Sequence, residues 1–85
     1  MEVRKIFRAA IDRYGVQAQL DICKEECAEL IVELSHYLRG REHHAPEEVA
    51  DVEIMCEQMR IIFGNKEIDK IKAEKIVRLK KKLEL

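Results

Sequence analysis

The spacing of apolar residues is the feature that most limits how this chain can fold. Apolar residues recur every three or four positions along its length, and glycines interrupt the pattern at positions 15, 40 and 64. This spacing places apolar side chains on one face of an α-helix, and glycine commonly follows the last helical residue. Pro46 suits the first turn of a helix, where its missing N–H needs no partner. The sequence therefore predicts four helices and an all-α fold.

The four predicted helices are joined by short connections. They span 3–14, about 17–38, 46–63 and about 66–83. One face of the second helix predicts a core stripe, made of Leu20, Cys23, Cys27, Leu30, Ile31, Leu34 and Leu38. The three cysteines, Cys23, Cys27 and Cys56, are interpreted as reduced, buried thiols that behave as small apolar groups.

Chain length predicts a single domain, residues 1–85, with a thin core. We therefore expect a chain that resembles a four-helix bundle and is completed by oligomerisation. The apolar runs are too short for a membrane span, and the N-terminal segment lacks a signal-peptide core. A cytoplasmic protein without a membrane partner is the expectation.

Charge is unevenly distributed. Residues 21–57 hold eleven acids and three bases, a net charge of −8, whereas the last twenty residues hold eight bases and four acids, a net charge of +4. The acidic middle argues against nucleic-acid binding by the body of the protein. The pattern instead favours an anionic ligand held between a metal ion and Lys or Arg side chains.

Two short acidic motifs indicate where such a metal ion would bind. Glu26 and Glu29 lie three residues apart in the second helix, and Glu48 and Asp51 lie three apart in the third. On an α-helix this spacing makes the two side chains neighbours, with Cβ atoms roughly 5–6 Å apart. If the two helices face each other, four carboxylates converge, and a cation is needed to offset their repulsion. Oxygen ligands of this kind favour Mg²⁺ or Mn²⁺.

The two motifs together resemble a known family. The segment 19–30, which ends Glu-Glu-Cys-Ala-Glu-Leu, and the segment 47–52, Glu-Glu-Val-Ala-Asp-Val, are similar to the paired E-x-x-E and E-x-x-D signature of MazG-like all-α nucleoside triphosphate pyrophosphohydrolases. The resemblance extends from about Tyr14 to Leu79. It implies a single MazG-like domain that hydrolyses a nucleoside or deoxynucleoside triphosphate to the monophosphate and pyrophosphate, with Mg²⁺ as cofactor. It also implies assembly as a homodimer or homotetramer.

The resemblance also implies roles for six residues. Glu26, Glu29, Glu48 and Asp51 match the metal ligands, and Glu26 is further expected to orient the attacking water. Lys75 and Arg78 match basic residues that lie near the phosphates. An alternative for the two bases is a solvated basic stripe on the last helix.

One geometric difficulty concerns the hairpin formed by the second and third helices. Glu29 lies ten residues before Arg39, whereas Glu48 lies two after Pro46, which is an axial mismatch on the order of 10 Å. An early end to the second helix, an oblique crossing or a partner chain would each close it.

Two other functions are compatible with the sequence. Glu33 and His36 form a Glu-x-x-His pair, as in di-iron carboxylate bundles, but such sites need two of these motifs and a dimer would have to supply the second. A non-catalytic helical oligomer that acts as an interaction or accessory module is the other alternative.

Overall fold

The structure, a computed structural model that describes residues 2–85, is all-helical. Its elements are α1 (Val3–Tyr14), α2 (Val16–Leu38), α3 (Ala45–Phe63) and α4 (Asn65–Lys82), and no strand occurs within these residues. The predicted all-α class and the four helices are confirmed, with each boundary within one residue of its prediction.

Single glycines make two of the three helix junctions. Gly15 separates α1 from α2 with a φ of 91°, and Gly64 separates α3 from α4 with a φ of 111°. Positive φ values are strained for residues that carry a Cβ atom, so glycine is the residue suited to both junctions. Arg60 stabilises the junction at Gly64 by donating hydrogen bonds to Asn65 Oδ1 at 2.9 Å and Asp69 Oδ1 at 2.7 Å.

The helices do not enclose one common core within the described part of the chain. The helices α2 and α3 form the main pair, α1 packs on both of them, and α4 contacts α3 alone among the helices. From residue 69 onward every α4 side chain is exposed. A single chain therefore forms a three-helix body from which α4 extends.

The loop between α2 and α3 closes the axial mismatch within one chain. The backbone N–H of His44 donates a hydrogen bond to Glu33 Oε1 at 2.7 Å. Glu33 lies five residues before the end of α2, so residues 39–44 fold back along that helix and α3 starts beside Glu33. The loop returns the chain by itself, so neither an early end to α2, which extends to Leu38, nor a partner chain is needed.

The helices α2 and α3 meet in one antiparallel register. Two hydrogen-bonded pairs, Glu33–His44 and Gln19–Gln58, join the helices at positions two heptads apart on α2. The residue numbers add to 77 in both pairs, as they do when two antiparallel helices keep the same register between them. The same register pairs Glu29 with Glu48, Glu26 with Asp51, and Ile22 with Met55. We call these ten positions the polar interface, because Ile22 and Met55 are its only apolar members.

The predicted core stripe of α2 is largely wrong for the single chain. Cys27, Ile31, Leu34 and Leu38 are exposed, and Met55 is the one buried apolar residue in the described part of the chain. The reason is that α2 turns its polar positions toward α3, which leaves the apolar stripe outside. Cys23 is half-buried, but Cys56 is exposed like Cys27, which contradicts the prediction of three buried thiols.

Among residues 2–85, no helix combines the length and the apolar character needed to cross a membrane.

Candidate metal centre

Three carboxylates from the two central helices converge at the polar interface. Glu26 and Glu29 on α2 and Glu48 on α3 each present an oxygen, and these oxygens lie within 4.8 Å of one another. We call this group the carboxylate cluster. Glu29 is exposed, whereas Glu26 and Glu48 are half-buried.

The helical register explains the convergence. Glu29 lies one turn before Glu33 on α2, and Glu48 lies one turn after His44 on α3, so both follow the Glu33–His44 hydrogen bond by the same axial distance. Glu26 lies nearly one further turn along α2. The folded-back loop therefore brings together acids that are 19 to 22 residues apart in the sequence.

Two oxygens of the carboxylate cluster have no hydrogen-bond donor. Glu26 Oε2 and Glu48 Oε2 are inaccessible to solvent and unpaired. A buried carboxylate oxygen without a partner raises the free energy of the folded state, because neither water nor a protein donor compensates its charge. A divalent cation bound among the three side chains would satisfy both atoms. Carboxylate oxygens are ligands that Mg²⁺ and Mn²⁺ favour, so the residues present fit either ion.

The electrostatics of Glu26 reflect the same crowding. Desolvation, followed by repulsion from Glu29, Asp51 and Glu48, raises the pKa of Glu26 from 4.5 to about 7. Its carboxyl group is therefore partly protonated near neutral pH in the metal-free protein, and a bound cation would favour the charged form.

The pKa of Glu48 is raised for similar reasons. Desolvation is the largest cause, and repulsion from Glu29 and Asp51 adds to it, so the pKa of Glu48 is also raised. Acids on α3 thus raise the pKa of Glu26, and an acid on α2 raises the pKa of Glu48. Charge repulsion in the metal-free protein acts between α2 and α3 at the point where they pack.

Asp51, the fourth predicted ligand, lies at the edge of the carboxylate cluster. It is opposite Glu26 in the helical register and close enough to raise the pKa of Glu26 and Glu48, but it is not one of the three residues whose oxygens converge. The structure thus brings together three of the four predicted ligands and places the fourth beside them.

The two predicted phosphate-binding residues lie elsewhere. Lys75 and Arg78 line a shallow groove with Leu79 and Lys82, all on the exposed face of α4. Among residues 2–85, neither base forms a salt bridge or hydrogen bond with Glu26, Glu29 or Glu48. They do share a face of their helix, as their spacing predicts.

Glu33 has a structural role that the sequence analysis missed. Its side chain is 12% exposed, and its two oxygens interact with the His44 N–H and, at 2.9 Å, with His36 Nδ1. Glu33 and His36 therefore pair with each other and hold the loop, so they are not arranged as part of a di-iron site. The sequence offered one signal of this loop-holding role, which was Glu-x-x-His spacing near the end of a helix followed by a loop of suitable length.

Comparison of the chain with models of protein families, with curated proteins and with solved structures finds no match.

Proposed function

We propose that this protein is a Mg²⁺-dependent nucleoside triphosphate pyrophosphohydrolase, with Mn²⁺ as a possible substitute for Mg²⁺. It would hydrolyse a nucleoside or deoxynucleoside triphosphate to the monophosphate and pyrophosphate. The observation that carries the proposal is the carboxylate cluster, in which Glu26, Glu29 and Glu48 meet from two helices and leave two buried oxygens unpaired. The sequence resemblance to MazG-like enzymes supplies the reaction class.

Each side chain has a proposed role. Glu29 and Glu48 hold the cation, together with Glu26, and Asp51 completes the set from its position beside them. Glu26 also orients the attacking water, as the resemblance implies, by accepting a hydrogen bond from it with its carboxylate. When bound, the ion would neutralise phosphate oxygens and activate a water molecule.

A catalytic nucleophile from the protein is not required. Phosphoryl-transfer enzymes rely mainly on positioning and on electrostatic stabilisation of the transition state. A cluster of carboxylates on two rigid helices provides positioned ligands of this kind. Phosphate binding by Lys75 and Arg78 stays a prediction from the sequence, because their groove on α4 lies apart from the carboxylate cluster.

The function can be tested with a panel of nucleoside and deoxynucleoside triphosphates. We expect pyrophosphate release from at least one of them with Mg²⁺, and loss of that release with EDTA or in Glu29→Gln. Glu25→Gln is the matched control, because Glu25 is an exposed acid of the same helix outside the carboxylate cluster. Failure of the whole panel with both Mg²⁺ and Mn²⁺ would refute the proposal.

The alternative is a non-catalytic helical oligomer that acts as an interaction or accessory module. The exposed apolar residues of α2 favour it, because they offer a surface for another protein. Thermal unfolding separates the two functions: the hydrolase gains thermal stability from Mg²⁺ or Mn²⁺, and an interaction module without a metal site does not.

A further inference from the structure

A groove at the border of α2 and α3 is rich in sulfur atoms. It has a volume of about 590 Å³, and three of its seven lining residues carry sulfur, namely Cys23 and Cys27 of α2 and Met59 of α3. The other lining residues are apolar except for Lys24. We call it the sulfur groove. Among residues 2–85, no carboxylate and no imidazole lines it, so its chemistry differs from that of the carboxylate cluster.

The two thiols of the sulfur groove lie on successive turns of α2. Cys23 and Cys27 are four residues apart, a spacing that puts their Cβ atoms roughly 5–6 Å apart on one face. A metal–sulfur bond of about 2.3 Å allows two ligands of one ion to have sulfur atoms up to about 4.6 Å apart, which side chains at this spacing reach. Both cysteines are free, and Cys23 is half-buried whereas Cys27 is exposed. The pair is therefore open to an ion from solvent.

The electrostatics of Cys23 confirm that the two thiols interact. Desolvation is the largest cause of the raised pKa of Cys23, and Cys27 contributes more to it than Cys56 does. The Cys23 thiol is therefore protonated at neutral pH in the metal-free protein. A cation that binds sulfur strongly displaces such a proton, because the thiolate is the form that ligates metals.

We propose that the sulfur groove binds one Cu⁺ ion through the thiolates of Cys23 and Cys27 and the thioether of Met59. Soft thiolate and thioether ligands select Cu⁺ among the common metal ions. Zn²⁺ is less suited, since it is usually held by four ligands drawn from thiolates, imidazoles and carboxylates. Each thiol releases its proton to solvent as its sulfur–copper bond forms, and copper stays in the same oxidation state.

Charge balance also favours a monovalent ion. Two thiolates and one Cu⁺ leave a single negative charge, and the ammonium group of Lys24 in the same groove offsets it. Apolar walls strengthen this attraction, because charges interact more strongly where the surroundings are less polar than water.

The chain therefore carries two candidate metal sites of opposite preference. The carboxylate cluster offers oxygen ligands for a hard ion such as Mg²⁺, whereas the sulfur groove offers ligands for a soft one. They lie on different faces of α2. An ion that enters one of them should leave the other unoccupied.

Competition with the Cu⁺ chelator bicinchoninate tests the site in the reduced protein under anaerobic conditions. We expect one Cu⁺ per chain. Cys23→Ser and Cys27→Ser should each raise the dissociation constant by at least about 100-fold, since loss of an outer-shell partner alone costs 10–100-fold. Met59→Leu, which preserves the side-chain volume, should raise it by about tenfold. Cys56→Ser is the matched control and should change little, because Cys56 lines a separate groove with Val3 and Phe7.

Alkylation of the wild-type protein provides a measurement that needs no variant. Iodoacetamide, followed by mass spectrometry of the peptides, reports the modification of each cysteine separately. Cu⁺ should protect Cys23 and Cys27 from the reagent and leave Cys56 reactive. This comparison remains decisive if a serine variant fails to fold.

Three outcomes would overturn the proposal. The first is equal Cu⁺ affinity in Cys23→Ser, Cys27→Ser and Cys56→Ser, and the second is alkylation of Cys23 and Cys27 at the same rate with and without Cu⁺. The third is protection of the same two thiols by Zn²⁺ at concentrations as low as those of Cu⁺. These measurements use neither nucleotide nor Mg²⁺, and Glu29→Gln should bind Cu⁺ as the wild type does. Their result is therefore independent of the proposed hydrolase activity.

Discussion

The behaviour of each carboxylate in the polar interface depends on the group opposite it. Glu33 lies opposite the backbone N–H of His44 and is stabilised by a hydrogen bond. Glu26 lies opposite another acid, Asp51, and its pKa is raised. The same residue type at equivalent positions of one helix therefore has a structural role in one case and a proposed metal-binding role in the other.

Removal of one acid should separate metal binding from folding. We expect Glu29→Gln and Asp51→Asn each to abolish the thermal stabilisation by Mg²⁺ or Mn²⁺, because each removes a proposed ligand. The metal-free variants should be as stable as the wild type or more so, since one repulsive charge is gone. Thermal unfolding followed by circular dichroism, with and without the ion, measures both effects. Loss of the helical fold in either variant would instead indicate a structural role.

The raised pKa of Glu26 predicts how the stability of the metal-free protein depends on pH. Because its folded-state pKa of about 7 lies above the ordinary value of 4.5, the folded state binds the proton more tightly than the unfolded state. The resulting stabilisation is complete below pH 4.5 and is lost as pH rises through about 7.

Urea denaturation in EDTA at pH 5 and pH 8 tests this dependence. The free energy of unfolding should be lower at pH 8, and Glu26→Gln should reduce the difference. Saturating Mg²⁺ should also reduce it, because the ion stabilises the charged carboxylates. A wild-type protein that is more stable at pH 8 than at pH 5 in EDTA would contradict the assignment.

At the scale of elements, α2 carries two different faces. One face, with Gln19, Glu26, Glu29 and Glu33, forms the polar interface with α3, and another carries exposed apolar residues, among them Ile31, Leu34 and Leu38. The folded-back loop sets which residues of α3 meet the first face. Both the register of the hairpin and the geometry of the carboxylate cluster therefore depend on the contacts of Glu33.

Loss of the Glu33 side chain should affect both stability and metal binding. We expect Glu33→Ala to lower the free energy of unfolding by about 1.5–3 kcal/mol, the usual range for hydrogen bonds to a charged group. Mg²⁺ stabilisation should also weaken, because the loop no longer fixes α3 beside α2. Glu42→Ala, an exposed acid of the same loop, should change stability by less than about 0.5 kcal/mol. Equal effects from the two variants would exclude a special role for Glu33.

The predicted phosphate-binding role of Lys75 and Arg78 can be tested with a control residue on the same helix, α4. If Lys75 and Arg78 contact phosphate oxygens, Lys75→Ala and Arg78→Ala should each weaken triphosphate binding by about 1.5–3 kcal/mol. Lys81→Ala should change little, because Lys81 does not line their groove. Metal binding without nucleotide should survive all three changes. Equal small effects, measured by calorimetry, would identify the bases as a solvated stripe.

At the scale of the whole molecule, the exposed surface is 7028 Å², and Met55 is the one buried apolar side chain among residues 2–85. We therefore predict that folding is coupled to association. The thermal midpoint should therefore rise with protein concentration, because mass action favours the associated state. Scanning calorimetry over a hundredfold range of concentration measures this. A midpoint independent of concentration would show that the single chain is stable by itself.

The sequence alone was sufficient to predict the helices and their ends. Glycine and proline act locally, since their backbone preferences end or begin a helix whatever surrounds them. The i, i+3 spacing of Glu26 with Glu29 likewise places them side by side on any α-helix. These features depend on residues within about one turn of each other.

Only the tertiary structure decided which face of α2 turns inward. Periodicity showed an apolar stripe but not its partner, and the prediction of a core stripe was wrong for four of its seven residues, which are exposed. The inward face was set by the loop that folds back to Glu33 and by the register it imposes on residues as distant as Gln19 and Gln58. That register depends on hydrogen bonds between residues far apart in the sequence, so local spacing does not encode it. The same register brought Glu48 to Glu26 and Glu29 and left Lys75 and Arg78 on a separate helix.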